Sequence, residues 1–324
     1  MQHVECLLCP RHCRIPEGGR GDCRVRANVD GKLFSLVYGK PCAVHVDPIE
    51  KKPFFHVLPT STSFSIATAG CNLHCKGCQN WTISQRPPEE TDNLDLPPEA
   101  VVREALRAGC RSIAYTYSDP VIFYEYTFDT SVLARQAGLL NLLHTAGYIE
   151  KAPLADLCPE LHAANVDIKG MTDDFYHRMS RGTLQPVLDC VLALKKAGIW
   201  VEITNLVVPT WNDRDEDIRA LARWVRTYAG KDVPVHFSRF WPMHELTNLP
   251  PTPEDTLARA RKIAMAEGLQ YVYIGNIQSG NGNNTYCPDD GQLLIARDGY
   301  EVTENHLVDG KCERCGTAIP GIWK

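Results

Sequence analysis

Residues 63–78, SFSIATAGCNLHCKGC, run an apolar stretch straight into a C-x₃-C-x₂-C motif. The stretch from Ser63 to Ala69 reads as a strand, and Cys71, Cys75 and Cys78 then lie on one tight loop. Electron-transfer ferredoxins hold a cubane with four cysteines. Three thiolates fill three corners of a 4Fe–4S cluster and leave one iron open to a small-molecule ligand. The loop therefore predicts chemistry at that open iron.

Outward from this loop, one pattern recurs between residues 61 and 280: an amphipathic helix, a glycine, then a β-rich apolar run. ALRAG ends at Gly109, ARQAG at Gly138, ALKKAG at Gly198 and MAEG at Gly268. Glycine just past a helix accepts the left-handed conformation that closes it. Thr252-Pro253-Glu254-Asp255 reads as an N-cap, a first-turn proline and acidic first-turn residues. Strands are expected near 63–69, 111–117, 139–145, 164–169, 199–207, 234–240 and 270–275. Strands that alternate with helices imply parallel βαβ units. Their continuous apolar character fits a sheet covered on both faces. The expected fold is α/β, a closed or partial (β/α) barrel, with a doubly wound open sheet as the alternative. Residues 84–98, polar and proline-rich, are expected to form a long surface loop.

The chain has 324 residues, 44% of them apolar and 23% charged, and a net charge of −5. That length supports one large domain with additions, and the charge gives no electrostatic footprint for nucleic acid. No signal segment and no run of 18 apolar residues is present, so a cytoplasmic protein without membrane association is expected. Fourteen cysteines are many for such a protein. Cys6, Cys9, Cys13 and Cys23 group near the start; Cys287, Cys312 and Cys315 group near the end; Cys42 lies between the first set and the central loop. Close spacing in a reducing compartment favours metal over disulfides. Cys110, Cys158 and Cys190 read as small buried apolar residues. Three regions follow: 1–60 as a cysteine-bearing extension, 61–280 as the barrel and 281–324 as a cysteine-bearing tail.

Polar groups gather where the expected strands end, which is where βα barrels carry function. The second strand leads to Tyr117-Ser118-Asp119-Pro120 and the third to His144-Thr145-Ala146-Gly147-Tyr148. The fourth carries Asp167-Ile168-Lys169-Gly170, the fifth Glu202, Thr204 and Asn205, the sixth His236, Ser238 and Arg239, and the seventh Asn276. Any one could be a cap or a solvated residue; a series at equivalent positions argues for a site.

With the cysteine loop closing the first strand of such a barrel, the chain resembles the radical S-adenosylmethionine (radical SAM) superfamily. CLLCPRHC, DPIEKKPFFHVLP, CQNWTISQ, NVDIKG and YVYIGN are similar to segments of the AmmeMemoRadiSam-system radical SAM enzymes, relatives of the pyruvate formate-lyase activating enzymes. The resemblance implies a partial (β/α)₆ TIM-like barrel. It implies SAM bound to the open iron through its methionyl amine and carboxylate, and reductive cleavage to methionine and a 5′-deoxyadenosyl radical. That radical takes hydrogen from a small molecule or a modified residue, an oxidoreductase- or lyase-type reaction whose substrate and other catalytic residues the resemblance does not supply. Reduced ferredoxin or flavodoxin is the implied electron donor, and Memo-like and AMMECR-domain proteins are implied associates.

By position, Tyr117, Ser118 and Asp119 match the family's Gly-Gly-Glu-Pro-type segment around the methionyl amine. Asp167 and Lys169 match its Asp-x-Lys segment, where a lysine pairs with the SAM carboxylate. Glu202 and His236 fall where related enzymes place SAM- or substrate-facing groups. Three positions depart from the family: Gly77 replaces an aromatic residue, Asp119 a glutamate, and Ala146 an asparagine.

Cys6-x₂-Cys9-x₃-Cys13-x₉-Cys23 supplies four ligands, enough for tetrahedral zinc or for an auxiliary iron–sulfur cluster. Cys287-x₂-Asp290-x₂₁-Cys312-x₂-Cys315 resembles paired rubredoxin-type or zinc-ribbon knuckles, for zinc or iron, and related sequences carry cysteine at position 290. Two other functions remain on the sequence alone. One is a glycyl-radical-enzyme activase, disfavoured because its extra cysteines usually follow the radical motif. The other is a non-catalytic metal-binding scaffold, disfavoured by the polar strand ends.

Overall fold

The computed structural model describes residues 3–277 and 281–324. Its core is an eight-stranded sheet in sequence order: β1 (Ala43–Pro48), β2 (Thr62–Ala67), β3 (Ser112–Tyr115), β4 (Leu140–Thr145), β5 (Ala163–Asp167), β6 (Trp200–Val207), β7 (Val235–Arg239) and β8 (Val272–Gly275). From β2 to β8 all pairings are parallel, and β1 lies antiparallel against β2. All seven strands expected from the sequence are present, and β1, inside the segment read as an extension, adds an eighth. Among the described residues β1 and β8 do not pair with each other, so the barrel is partial.

Helices cover the outside: α1 (Pro98–Arg107), α2 (Tyr124–Gln136), α3 (Lys151–Leu157), α4 (Asp173–Ser180), α5 (Gln185–Lys196), α6 (Asp215–Trp224) and α7 (Glu254–Ala266). In α5, Val187, Val191 and Leu194 follow i, i+4, i+7 spacing and are each 0% exposed. Burying each contributes roughly 1.5–3 kcal/mol. Gly109 and Gly198 close their helices in the left-handed region, at φ +68° and +78°. Thr252 does not cap α7, whose N-cap is Pro253. Its hydroxyl instead donates to the Val207 carbonyl at 2.6 Å and accepts from the Phe240 amide at 2.9 Å. It thereby ties the ends of β6 and β7 together, a stronger claim on the hydroxyl than one exposed turn. Cys110, Cys158 and Cys190 are buried in the apolar core, as read from the sequence.

The register stacks the barrel interior in layers. Thr204 stands opposite both Asp167 and His236, which places these three side by side. Glu202 and Asn165 form the next row down. That lower row is occupied by the segment after β1. The Asn165 amide donates to the Pro53 carbonyl at 2.8 Å. The Glu202 carboxylate accepts from the amides of Phe55 and His56 at 3.1 and 2.9 Å. Residues 53–56 thus form the floor of the barrel.

The tail braces this floor from below. Its strands Leu293–Asp298 and Glu301–Asn305 pair antiparallel, and Leu294, Ile295 and Ile319 share a small core with Phe55, Tyr271 and Tyr273. Ile322 and His56 are joined backbone to backbone at 2.7 Å, and so are Leu58 and Ile322. Only glycine fits at 321, because a Cβ there would lie 2.6 Å from the His56 carbonyl oxygen. The buried Arg297 guanidinium donates to the Phe55 carbonyl at 2.8 Å.

Candidate functional site

A cavity of about 430 Å³ opens at the C-terminal ends of the strands, within the usual range for small-molecule sites. It is lined by Cys71, Cys75 and Cys78, and by Tyr117, Ser118, Asp119, His144, Asp167, Lys169, Thr204 and His236. Of the polar residues expected at the strand ends, Glu202, Asn205 and Arg239 do not reach this cavity: Asn205 turns to the Ile168 carbonyl and Arg239 to the Thr252 carbonyl. One cavity can collect residues from all these strands because the sheet curls. A larger hollow of about 580 Å³ between residues 170–178 and 205–221 contains none of the cysteines.

The cysteine loop is held in place by main-chain bonds. His74 and Lys76 amides donate to the carbonyls of Ser180 and Met179, each at 2.9 Å, so the end of α4 carries the loop. Two side chains add to these: Gln85 Nε2 donates to the Leu73 carbonyl at 3.0 Å, and Asn72 Nδ2 to the Tyr148 carbonyl at 2.7 Å. Burial pushes the Cys71 and Cys78 thiols above their ordinary range. A positive centre that favours thiolates would reverse this. A Cβ on Gly77 would press on the Phe240 ring at 3.0 Å and on Leu246 at 3.3 Å, so a larger residue there requires these side chains to give way.

Beside the loop, Lys169 Nζ pairs with Asp167 at 3.0 Å, and His144 Nε2 meets the other carboxylate oxygen at 3.2 Å. Burial alone would raise the Asp167 carboxyl, but Lys169 and His144 hold it well below the usual range. Burial works against the Lys169 ammonium, yet Asp167 and Cys75 keep it charged. The three groups thus form a fixed cation–carboxylate–imidazole row beside the thiols.

Asp119 is a brace as well as a wall. Its oxygens accept from the Val121 amide (3.1 Å), the Thr145 hydroxyl (2.9 Å) and the Ala146 amide (2.9 Å). It caps the turn Pro120–Phe123 and joins the loops after β3 and β4. The Ser118 hydroxyl donates to the Thr68 carbonyl at 2.7 Å. Neighbouring Tyr117 adopts φ +63°, a conformation that costs a non-glycine residue about 1–3 kcal/mol. Its hydroxyl donates to Asp47 and accepts from Lys52 Nζ at 3.0 Å.

Sequence reasoning missed the Asp47–Lys52 pair, which closes at 2.6 Å with both side chains buried. Burial lowers the Lys52 ammonium to about 8, against the pull of Asp47. Two lysines beside a buried-looking FF run were the available signal.

Glu202 lies one row beneath the cavity, 0% exposed. Besides the floor amides it accepts from Trp200 Nε1 at 3.2 Å and His236 Nε2 at 2.6 Å. The expectation that Glu202 faces SAM or substrate does not fit this placement, because two residues of strand separate it from the row that does. Burial raises its carboxyl, and the bond to His236 outweighs this and lowers it. His236 does line the cavity, and among the described residues its buried Nδ1 has no partner. With Nε2 engaged by Glu202, Nδ1 is the atom left for a bound molecule.

The two outer cysteine groups are also assembled. Cys6, Cys9, Cys13 and Cys23 line one cavity. In the tail, Cys287, Asp290, Cys312 and Cys315 bring their ligand atoms within 4.8 Å of one another.

This geometry agrees with the comparisons. The Radical SAM superfamily pattern matches residues 65–224. An uncharacterized protein of Methanocaldococcus jannaschii, MJ0808, is 48% identical over 98% of this chain and 95% of its own length. The pyruvate formate-lyase 1-activating enzyme of Escherichia coli K12 is 24% identical over 55% of this chain and 72% of its own. A radical SAM methyltransferase from Sphaerobacter thermophilus superposes with a TM-score of 0.51 at 17% identity, covering 68% of this chain and 70% of its own, a likeness of fold alone. The chain belongs to the radical SAM superfamily, a family of enzymes. Membership implies an iron–sulfur cluster and SAM. The donor set fits them: three thiols on a pinned loop, a charged lysine beside them and an unpartnered imidazole nitrogen across the cavity. Among the described residues, no helix is long and apolar enough to cross a membrane.

Proposed function

We propose that this chain reductively cleaves SAM at a cluster held by Cys71, Cys75 and Cys78, and abstracts hydrogen from a substrate seated over the barrel mouth. The observation that carries this reading is the meeting of those thiols with Lys169, Asp167 and His144 in one cavity. When bound, the cluster and SAM supply a 5′-deoxyadenosyl radical. The protein's own groups do the rest. Lys169 stays cationic to bind the SAM carboxylate, and Asp167 and His144 fix its position. Tyr117, Ser118 and Asp119 shape the wall for the methionyl amine, with one acceptor site left on Asp119 Oδ2. Thr204 and His236 present polar atoms to the substrate. The floor segment 53–56 closes the barrel against water from below.

The remaining assignments belong to the same reading. The N-terminal cysteines form an auxiliary metal site, and the tail set takes one zinc or iron ion. Reduced ferredoxin or flavodoxin supplies electrons in the cytoplasm, with Memo-like and AMMECR-domain proteins as associates. The likeness to pyruvate formate-lyase activating enzymes supports a second reading, in which the substrate is a protein glycine.

The test is direct. Anaerobically reconstituted protein with SAM and dithionite forms 5′-deoxyadenosine, and Cys75→Ala abolishes it. Persistent cleavage in that variant would overturn the proposal. A stable glycyl radical formed on a partner protein would select the second reading.

A further inference from the structure

Among the described residues, the tail set is the one group of thiols and carboxylates whose ligand atoms close to within 4.8 Å. That suits a single ion: with Zn–S bonds of about 2.3 Å, a tetrahedron brings sulfurs to about 3.8 Å. The N-terminal thiols are arranged differently. Cys6, Cys9, Cys13 and Cys23 stand around a cavity that they share with Asn72 and Arg26. The hollow holds only about 20 Å³, so a cubane, whose inorganic body sets its thiolates apart, would widen it; ligand atoms outside the single-ion spacing favour that body over one zinc.

Arg26 points the same way. It is only 4% exposed, and both Nη atoms grip Glu125, at 2.8 and 2.5 Å. Among the described residues its Nε has no partner. A buried N–H is costly to leave unpaired. An anionic cluster sulfur would give it an acceptor, and N–H···S bonds of this kind tune cluster potentials.

This site backs directly onto the cysteine loop. A Cβ on Gly70 would lie 2.4 Å from the Cys23 carbonyl oxygen, so the Cys23 backbone touches Gly70. Asn72 lines the same cavity as Cys6, Cys9, Cys13 and Cys23. Gly70 and Asn72 are the two neighbours of Cys71, and each touches the N-terminal site.

We propose that Cys6, Cys9, Cys13 and Cys23 hold a second 4Fe–4S cluster that relays electrons to the Cys71 loop. The relay role rests on the radical SAM reading above; the ligand assignment does not. One electron enters from a reduced low-potential carrier of the ferredoxin or flavodoxin class, and one leaves through residues 70–72. No bond forms or breaks, and no proton moves.

The experiment separates this proposal from its parent. A Cys71→Ser/Cys75→Ser/Cys78→Ser variant, reconstituted anaerobically, retains about four iron and four acid-labile sulfide per chain. Zinc in place of iron, or no sulfide, overturns the assignment even if wild-type protein cleaves SAM. In the otherwise native chain, Cys9→Ser/Cys13→Ser halves iron and sulfide and abolishes spin coupling between two reduced clusters in electron paramagnetic resonance. The ratio of flavodoxin-driven to dithionite-driven 5′-deoxyadenosine formation then falls at least tenfold. An unchanged ratio overturns the relay.

Discussion

Gly77 and Phe240 compete for one volume: a Cβ on Gly77 would lie 3.0 Å from Phe240 Cε2. The family resemblance puts an aromatic ring at position 77; here the ring beside that position belongs to Phe240, just past β7 and 0% exposed. Gly77→Tyr alone overpacks the site and costs roughly 1–3 kcal/mol. Phe240→Ala alone leaves a cavity and costs about 3–5 kcal/mol. The double variant costs clearly less than the sum, because one ring replaces the other. Additive denaturation free energies would show that the two do not share the space.

Lys169→Met removes the cation beside the thiols. A charge-assisted bond contributes roughly 1.5–3 kcal/mol, so SAM affinity falls about 10–100-fold. Titrating the reduced cluster with SAM by electron paramagnetic resonance measures this. Affinity within twofold of wild type would remove Lys169 from the SAM site.

Acid should loosen the floor. Pro320 offers only a carbonyl to His56 Nδ1, at 2.7 Å, so Nδ1 carries the proton and Nε2 accepts from Tyr273 at 2.7 Å. Burial depresses His56 to about 4. Between pH 6.5 and 4 the unfolded chain binds the extra proton and the folded one does not, so stability falls as pH falls. The loss across this window is roughly 3 kcal/mol. Urea unfolding of wild type and His56→Gln should diverge in pH slope there; equal slopes would refute the assignment.

Cys312→Ser should remove one zinc or iron ion per chain, read by metal analysis. Because the tail supports residues 55–58, the melting temperature should drop by roughly 5–10 °C, each 1 kcal/mol being worth about 2–4 °C at large domain size. An unchanged melting point with the metal lost would show that the tail ion does not support the floor.

Much of this was legible in the chain. The helix-closing glycines and continuous apolar runs located all seven parallel strands, since those signals are local. β1 escaped because only one of its six residues is buried and its partner β2 is antiparallel. Glu202 was placed in the wrong layer because strand periodicity tells which face a residue is on and not what fills the interior beside it. Lys52 was invisible for a related reason: its burial depends on Asp47 and Tyr117, and the latter is 65 residues away. The thiols, by contrast, declared themselves through spacing alone.

The clasp between His56 and residues 320–322 spans most of the chain. Neighbouring strands pair in sequence order, so the barrel wall can assemble progressively as synthesis proceeds. The underside cannot: its brace leaves the ribosome last among these elements. A nascent chain carries its thiol loop and its strand-end charges well before the chamber beneath them is sealed. Closure of the floor therefore waits for residues 320–322, the part of the clasp that is synthesised after the strands it braces.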